Sequence, residues 1–235
     1  MKLTGYGKRE WLGGAVIAVL IEGAAYLFLK EEYPIIMWII CGVVSLIWLA
    51  LAAFFRVPNR KIPVEDNVLL SPADGVVKDI GVVSDHEIEL FKGQKLMRVG
   101  IFLSVLDVHV NRAPCDMTVE YRKYKEGFFH DARSPLCEKE NESLVIAGTG
   151  TADGKSFPVA VRQVSGAIAR RIVCDPEPGA NLKKGAIYGM IKFGSRTELF
   201  FPVDDDIHLV VQEGAIVRSG TTIFAKVNHK GVNGK

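Results

Sequence analysis

A carboxylic acid, an imidazole and a hydroxyl stand in three separate segments of the chain. These are Asp74 in Ser71-Pro72-Ala73-Asp74-Gly75, His109 in Asp107-Val108-His109-Val110-Asn111-Arg112, and Ser195 in Phe193-Gly194-Ser195-Arg196-Thr197. Each segment alone has an ordinary explanation. Pro-Ala-Asp-Gly is a turn sequence, in which Asp bonds its own backbone and Gly takes positive φ. A histidine in an apolar strand is more often a satisfied core residue than a catalyst, and Gly-Ser is common in loops. Together, however, the three supply the set that activates a weak serine nucleophile through a histidine held in one tautomer by a carboxylate. The sequence around Ser195 lacks Gly-x-Ser-x-Gly, which argues against the nucleophile elbow of an α/β-hydrolase.

The elements that must position these residues are mostly strands. From about residue 64 the texture is short β-rich runs punctuated by Gly, Pro and Asp, at 75–77, 95–103, 117–121, 144–147, 157–164, 186–193, 197–201, 207–211 and 222–227. The expected fold is a mostly β catalytic domain over 61–235. Residues 210–220 have a strand–turn–strand texture like the lipoyl or barrel-sandwich folds, but without the attachment lysine of a carrier. Residues 127–141 are polar apart from Phe128-Phe129 and read as a long loop.

The first 60 residues differ. Runs 11–29 and 34–55 are each close to the roughly 20 apolar residues that cross a bilayer as helix. They are separated by Lys30-Glu31-Glu32-Tyr33, and Pro34 suits the first turn of the second helix. The expectation is a membrane-anchoring helical hairpin. Lys2, Lys8 and Arg9 precede it and Arg56, Arg60 and Lys61 follow, so the positive-inside rule places both flanks, and the large domain, on the cytoplasmic side of the cell membrane. A cleavable signal peptide is disfavoured, because no small-residue cleavage site stands before the second run. Glu22 is the one carboxylate inside the first run.

Composition narrows the function further. The formal net charge of +2 and the absence of a basic stripe argue against nucleic acid as a partner. Cys41, Cys115, Cys137 and Cys174 include no Cys-x-x-Cys pair and read as reduced thiols; the five histidines lack zinc-site spacing, so no metal is expected.

Ser-Pro-Ala-Asp-Gly at 71–75, Asp-Val-His-Val-Asn-Arg-Ala-Pro at 107–114 and Phe-Gly-Ser-Arg at 193–196, in this order and spacing, resemble the short bacterial and archaeal phosphatidylserine decarboxylases. The resemblance covers about residues 56–227, and Arg56-Val57-Pro58 and Asn141-Glu142 fit it too. Longer members often carry Leu-Gly-Ser-Thr at the processing site. Here Phe193 and Arg196 flank it, as in the short branch, so contacts particular to those flanks are not carried over.

The resemblance implies a proenzyme that cuts itself between Gly194 and Ser195 into a β chain, 1–194, and an α chain, 195–235, whose first residue becomes a covalent pyruvoyl cofactor. Asp74 would orient His109, and His109 would deprotonate Ser195. The pyruvoyl would form a Schiff base with phosphatidylserine, release CO2 and leave phosphatidylethanolamine, with His109 as proton donor. The implied partners are the phospholipid, the membrane and the two chains of the precursor, with a second copy of the chain as a further candidate. Phe128, Phe129, His130 and Arg133 form a candidate lid, and Arg112 or Arg133 a candidate contact to the lipid phosphate. Three other readings compete. A membrane-tethered adaptor predicts an uncut chain, and a zinc endopeptidase using His109 and His208 predicts dependence on metal. A pyruvoyl decarboxylase of soluble amino acids makes no use of the hairpin.

Overall fold

The computed structural model describes residues 2–132, 134, 136–167, 171–192 and 195–228. The chain divides into two compact units, Met1–Asn59 and Arg60–Lys235.

The first unit is the hairpin. Strand β1 (Lys2–Leu3), helix α1 (Lys8–Leu29), helix α2 (Pro34–Phe54) and strand β2 (Arg56–Val57) follow in order, and β1 pairs antiparallel with β2. At about 1.5 Å per residue the 22-residue α1 and 21-residue α2 reach about 30 Å or slightly more, the thickness of a bilayer's hydrocarbon core. Both are long and apolar enough to cross a membrane. Their outward surface is also apolar, with Phe28 81% and Trp38 70% exposed, whereas a water-soluble pair turns such side chains inward. Glu22 finds a partner within the hairpin, since Ser45 Oγ donates to its carboxylate at 2.7 Å.

The second unit is built almost wholly of antiparallel strands. In chain order these are β3 (Val68–Leu70), β4 (Gly75–Val83), β5 (Leu96–Leu103), β6 (Val110–Arg112), β7 (Asp116–Lys125), β8 (Ser143–Ala152), β9 (Lys155–Ser165), β10 (Arg171–Cys174), β11 (Asn181–Leu182), β12 (Ile187–Lys192), β13 (Ser195–Pro202), β14 (Ile207–Leu209), β15 (Ile216–Val217) and β16 (Ile223–Val227). The main sheet runs β11-β7-β8-β9-β13-β5-β4-β15, and two smaller sheets run β10-β12-β6 and β14-β16-β3.

Strand β13 is central, paired with β5 on one side and β9 on the other, and period-2 alternation sorts its residues between two environments. Leu199 and Phe201 join the main core with Val99, Ile101, Val159 and Val161. Phe200 lies on the other face with Ile88, Phe91, Val145 and Ala160. By the same alternation Ser195 and Thr197 share the main-core face, and Arg196 and Glu198 the opposite one.

The segment at 127–141 is more ordered than a plain loop. It contains the one-turn helix α3 (Cys137–Glu140) and closes on itself, because Phe128 N–H donates to Glu140 O at 2.7 Å and Glu142 N–H to Phe128 O at 3.0 Å. The Asn141 amide fastens it, accepting from His130 N–H and donating to the carbonyls of His130 and Ser165, each at 2.8 Å.

Candidate active site

His109 is fully buried just before β6, and its carbonyl accepts from Ile191 N–H on β12 at 3.3 Å. Its Nδ1 lies 2.9 Å from the carbonyl of Asp107. A carbonyl only accepts, so Nδ1 carries the hydrogen and Nε2 of the neutral ring keeps its lone pair. Asp107 is itself fixed by a turn: its carboxylate accepts from Ser104 N–H at 2.8 Å, and its N–H donates to Ser104 O at 2.9 Å. The imidazole tautomer is thus set by a backbone carbonyl in a closed turn.

Ser195 opens β13, is fully buried, and has an Oγ without a hydrogen-bond partner among the described residues. A side-chain bond ties its strand to β6, which follows His109. Asn111, two residues after His109, donates from Nδ2 to Oγ1 of Thr197, two residues after Ser195, at 3.1 Å. Gln163 Nε2 on β9 then donates to Asn111 Oδ1 at 2.9 Å. A buried polar chain therefore crosses from β6 to β13 and β9 beside the two residues.

Asp74 is placed differently from expectation. Both of its oxygens are held by Arg60, Nη1 to Oδ1 and Nη2 to Oδ2 at 2.6 Å each, and Oδ1 also accepts from Ser219 N–H at 2.8 Å. Among the described residues Asp74 makes no hydrogen bond to His109. The planar guanidinium fork matches the carboxylate and occupies it, and the imidazole takes the Asp107 carbonyl in its place. The turn that carries Asp74 nevertheless lies against β6, because Arg112 N–H donates to Pro72 O at 3.0 Å.

Arg112 is partly buried, and its Nη1 donates to the Gly185 carbonyl at 2.8 Å. Burial, with the neighbouring charge of Arg60, lowers its pKa against the opposing pull of Asp74. Gly194 and Arg133 lie outside the described residues. His208, on β14, is exposed. Sequence reasoning missed Arg60, which was counted only as a charge flanking the hairpin, and Gln163. The signal for Gln163 was present as an amide following Phe157, Val159 and Val161 on the core face of β9.

A family model described as phosphatidylserine decarboxylase matches residues 49–225. A phosphatidylserine decarboxylase proenzyme of Carboxydothermus hydrogenoformans is 42% identical over 185 residues, covering 79% of this chain and 83% of the relative. One from Wolbachia pipientis wMel is 41% identical over 77% of each chain. One from Chlorobium limicola is 36% identical over 95% of this chain and 99% of its own, so most of the hairpin falls inside the aligned stretch. The chain belongs to the phosphatidylserine decarboxylase family. It is therefore an enzyme, and the adaptor and zinc endopeptidase readings fall away.

The residue after Ser195 is held on the opposite face of the sheet. Arg196 donates to Asp79 through Nη1 at 2.6 Å and Nη2 at 2.8 Å, and to Glu198 through Nε at 2.9 Å, while its Nη2 also lies 3.1 Å from Glu138 of α3. Arg98 bridges Asp79 and Glu138, and Arg162 pairs with Glu198. Burial alone would raise the Glu198 carboxyl, but the guanidiniums of Arg162, Arg196 and Arg98 outweigh it and leave the pKa lowered. Asp79 shows the same balance, burial against Arg196 and Arg98, and is also lowered.

Proposed function

We propose that this enzyme decarboxylates phosphatidylserine to phosphatidylethanolamine, after cutting its own chain between Gly194 and Ser195 and converting Ser195 to a pyruvoyl group. The observation that carries the reading is the Ser195 hydroxyl: wholly buried, without a hydrogen-bond partner among the described residues, and on the strand tied through Asn111 to the segment of His109. An unpartnered buried hydroxyl costs about 1–3 kcal/mol, a cost understandable where the group is a reactant. The site also fits a pyruvoyl group formed in place, because the residue to be converted is already buried on the strand tied to the His109 segment.

His109 Nε2 accepts the Ser195 proton as Oγ attacks the Gly194 carbonyl carbon; the peptide C–N bond breaks, and an ester joins the β chain, 1–194, to the α chain, 195–235. Loss of the Ser195 α-proton and of the ester oxygen leaves a carboxylate on Gly194 and dehydroalanine at 195, whose imine tautomer takes up water and releases ammonia. The resulting pyruvoyl supplies an electrophilic carbonyl that bonds the substrate amine and receives the electron pair left by CO2. His109 then carries the proton that replaces the carboxylate, a task suited to an imidazole. Asp74 acts on this site through its place in the turn against β6 and its pair with Arg60. Arg112 is the candidate contact for the lipid phosphate, and Phe128-Phe129 the candidate lid. The hairpin anchors the enzyme in the cytoplasmic membrane with the catalytic unit facing the cytoplasm, which spares a diacyl lipid about 0.8 kcal/mol per methylene otherwise exposed to water.

Denaturing mass analysis tests the reading. The purified chain is expected as two fragments of about 21 and 4–5 kDa, at roughly 110 Da per residue, and Ser195→Ala as one uncut chain. Wild-type protein that releases CO2 from phosphatidylserine while uncut, with an unmodified serine at 195, overturns it.

A further inference from the structure

Three buried side-chain atoms lie unpartnered among the described residues on the main-core face of β9 and β13: Gln163 Oε1, Ser165 Oγ and Ser195 Oγ. The register opposes Ser165 to Ser195 and Gln163 to Thr197. Ser165 N–H donates to Glu142 O at 2.9 Å and its carbonyl accepts from Asn141 at 2.8 Å, so both backbone groups point away from β13. Ser165 and Ser195 are therefore a narrow, non-hydrogen-bonded pair, with Cα atoms about 4.5 Å apart. Gln163 is the diagonal neighbour of position 195, about 7–8 Å away and within reach of a long side chain.

The direction of the Gln163 amide is fixed by its partners. Nε2 donates to Val173 O at 3.2 Å as well as to Asn111 Oδ1, and a backbone carbonyl only accepts. The oxygen is thus held as an acceptor with no donor among the described residues, fully buried, beside the reacting residue. Its complement is a hydrogen-bond donor brought by the substrate.

We propose that Gln163 Oε1 is the acceptor for the amino nitrogen of the substrate when that nitrogen is bonded at position 195; this rests on the pyruvoyl reading above. An amide oxygen suits the task because it accepts a hydrogen bond without removing the proton, unlike a carboxylate or imidazole. The nitrogen stays protonated while the electron pair of the departing CO2 moves toward it, and no bond to Gln163 forms or breaks.

The test uses the full-length enzyme in detergent with Gln163→Leu and Gln163→Glu. Three readouts are needed: cleavage by intact mass, kcat and KM on phosphatidylserine micelles, and the mass gained by the α chain when phosphatidylethanolamine is trapped on it with sodium cyanoborohydride. Gln163→Leu is expected to be cleaved like wild type and to keep KM within about threefold, while kcat and the trapped fraction fall roughly 10- to 100-fold, the usual effect of losing a hydrogen bond to a charged group. Gln163→Glu, which restores an oxygen acceptor, is expected to recover most of the trapped fraction. The proposal is overturned by a Leu variant within twofold of wild type in kcat and trapping, by a Glu variant that traps no better than Leu, or by failure of both to be cleaved. Wild-type enzyme that gains no mass on its α chain sinks the pyruvoyl reading itself, and is told apart because no variant is involved.

Discussion

Arg196 and Asp79 meet through two parallel hydrogen bonds, which fix the residue next to Ser195 against β4. Arg196 lies directly over Gly100, where an added Cβ would stand 2.1 Å from its Nη2. If the chain is cut before Ser195, this clamp holds the new terminus in its strand. Removing one partner of a buried pair costs about 3–5 kcal/mol. Arg196→Met is therefore expected to lower the melting temperature strongly, with Glu198 left without one of its guanidiniums. The pH dependence has a definite sign. Asp79 and Glu198 have lowered pKa values in the folded protein, so their contribution is complete above their ordinary values of 3.8 and 4.5 and is lost as pH falls through the folded ones. Thermal melts should be flat from neutrality to about pH 5 and fall steeply below about pH 4. Glu198→Gln should flatten that fall, and an unchanged slope would contradict the clamp.

Gly75 adopts φ +141°, and a Cβ there would lie 2.0 Å from the carbonyl oxygen of Phe102. The neighbour is backbone of a central strand and cannot move aside. Gly75→Ala is expected to destabilise by about 3 kcal/mol or more, from strain added to the clash. Urea denaturation of the detergent-solubilised protein checks this, and a change below 1 kcal/mol would be inconsistent with the turn as described.

Legibility from sequence followed the range of the interaction. The apolar run 34–55 became α2, Pro34–Phe54, and the run 95–103 became β5, Leu96–Leu103, because composition and local period determine them. Strands β3, β10 and β11 were not foreseen; they have three, four and two residues, too few to show a period. The polar stretch at 127–141 read as loop because the bonds that order it join its two ends, Phe128 to Glu140 and Glu142, and run through Asn141 to a strand outside it, none of which leaves a local period. Three site residues were visible by chemical type. The partner of Asp74 was not, since Arg60 and Ser219 approach it from 14 residues before and 145 after.

All four cysteines are free thiols. Burial pushes the thiols of Cys115 and Cys174 up to about 12 and that of Cys137 up to about 11. At pH 8 about one molecule in a thousand or fewer carries the thiolate, the species that alkylates. Brief iodoacetamide treatment should leave these three unmodified in the folded protein and label them after denaturation, with peptide mapping to locate the labels.

Phe128 is 65% exposed and Phe129 39%, on a segment whose base is latched by Asn141 to the strand opposite Ser195. An exposed aromatic pair on such a segment suits contact with acyl chains or the headgroup region. The double substitution Phe128→Ala/Phe129→Ala is expected to reduce decarboxylation on liposomes roughly tenfold, while processing and stability stay near wild type, as for surface substitutions generally. Unchanged activity on liposomes would exclude the lid.

The Arg60–Asp74 pair separates a structural from a catalytic part for Asp74. Both side chains are about nine-tenths buried, so Arg60→Leu strands a carboxylate and is expected to cost about 3–5 kcal/mol. Arg60→Leu/Asp74→Leu removes both charges and should recover much of that loss, since an apolar pair of similar volume is often as stable as a buried ion pair. Cleavage at Ser195 is read alongside stability in the same proteins. If Asp74 serves only to hold the turn against β6, cleavage returns with stability in the double variant. If its charge acts on His109 through the field of the site, the double variant folds but remains uncut, and Asp74→Asn, which keeps an oxygen for Ser219 N–H, is also slow. Intact mass over a time course of expression, set beside the melting curves, decides between the two.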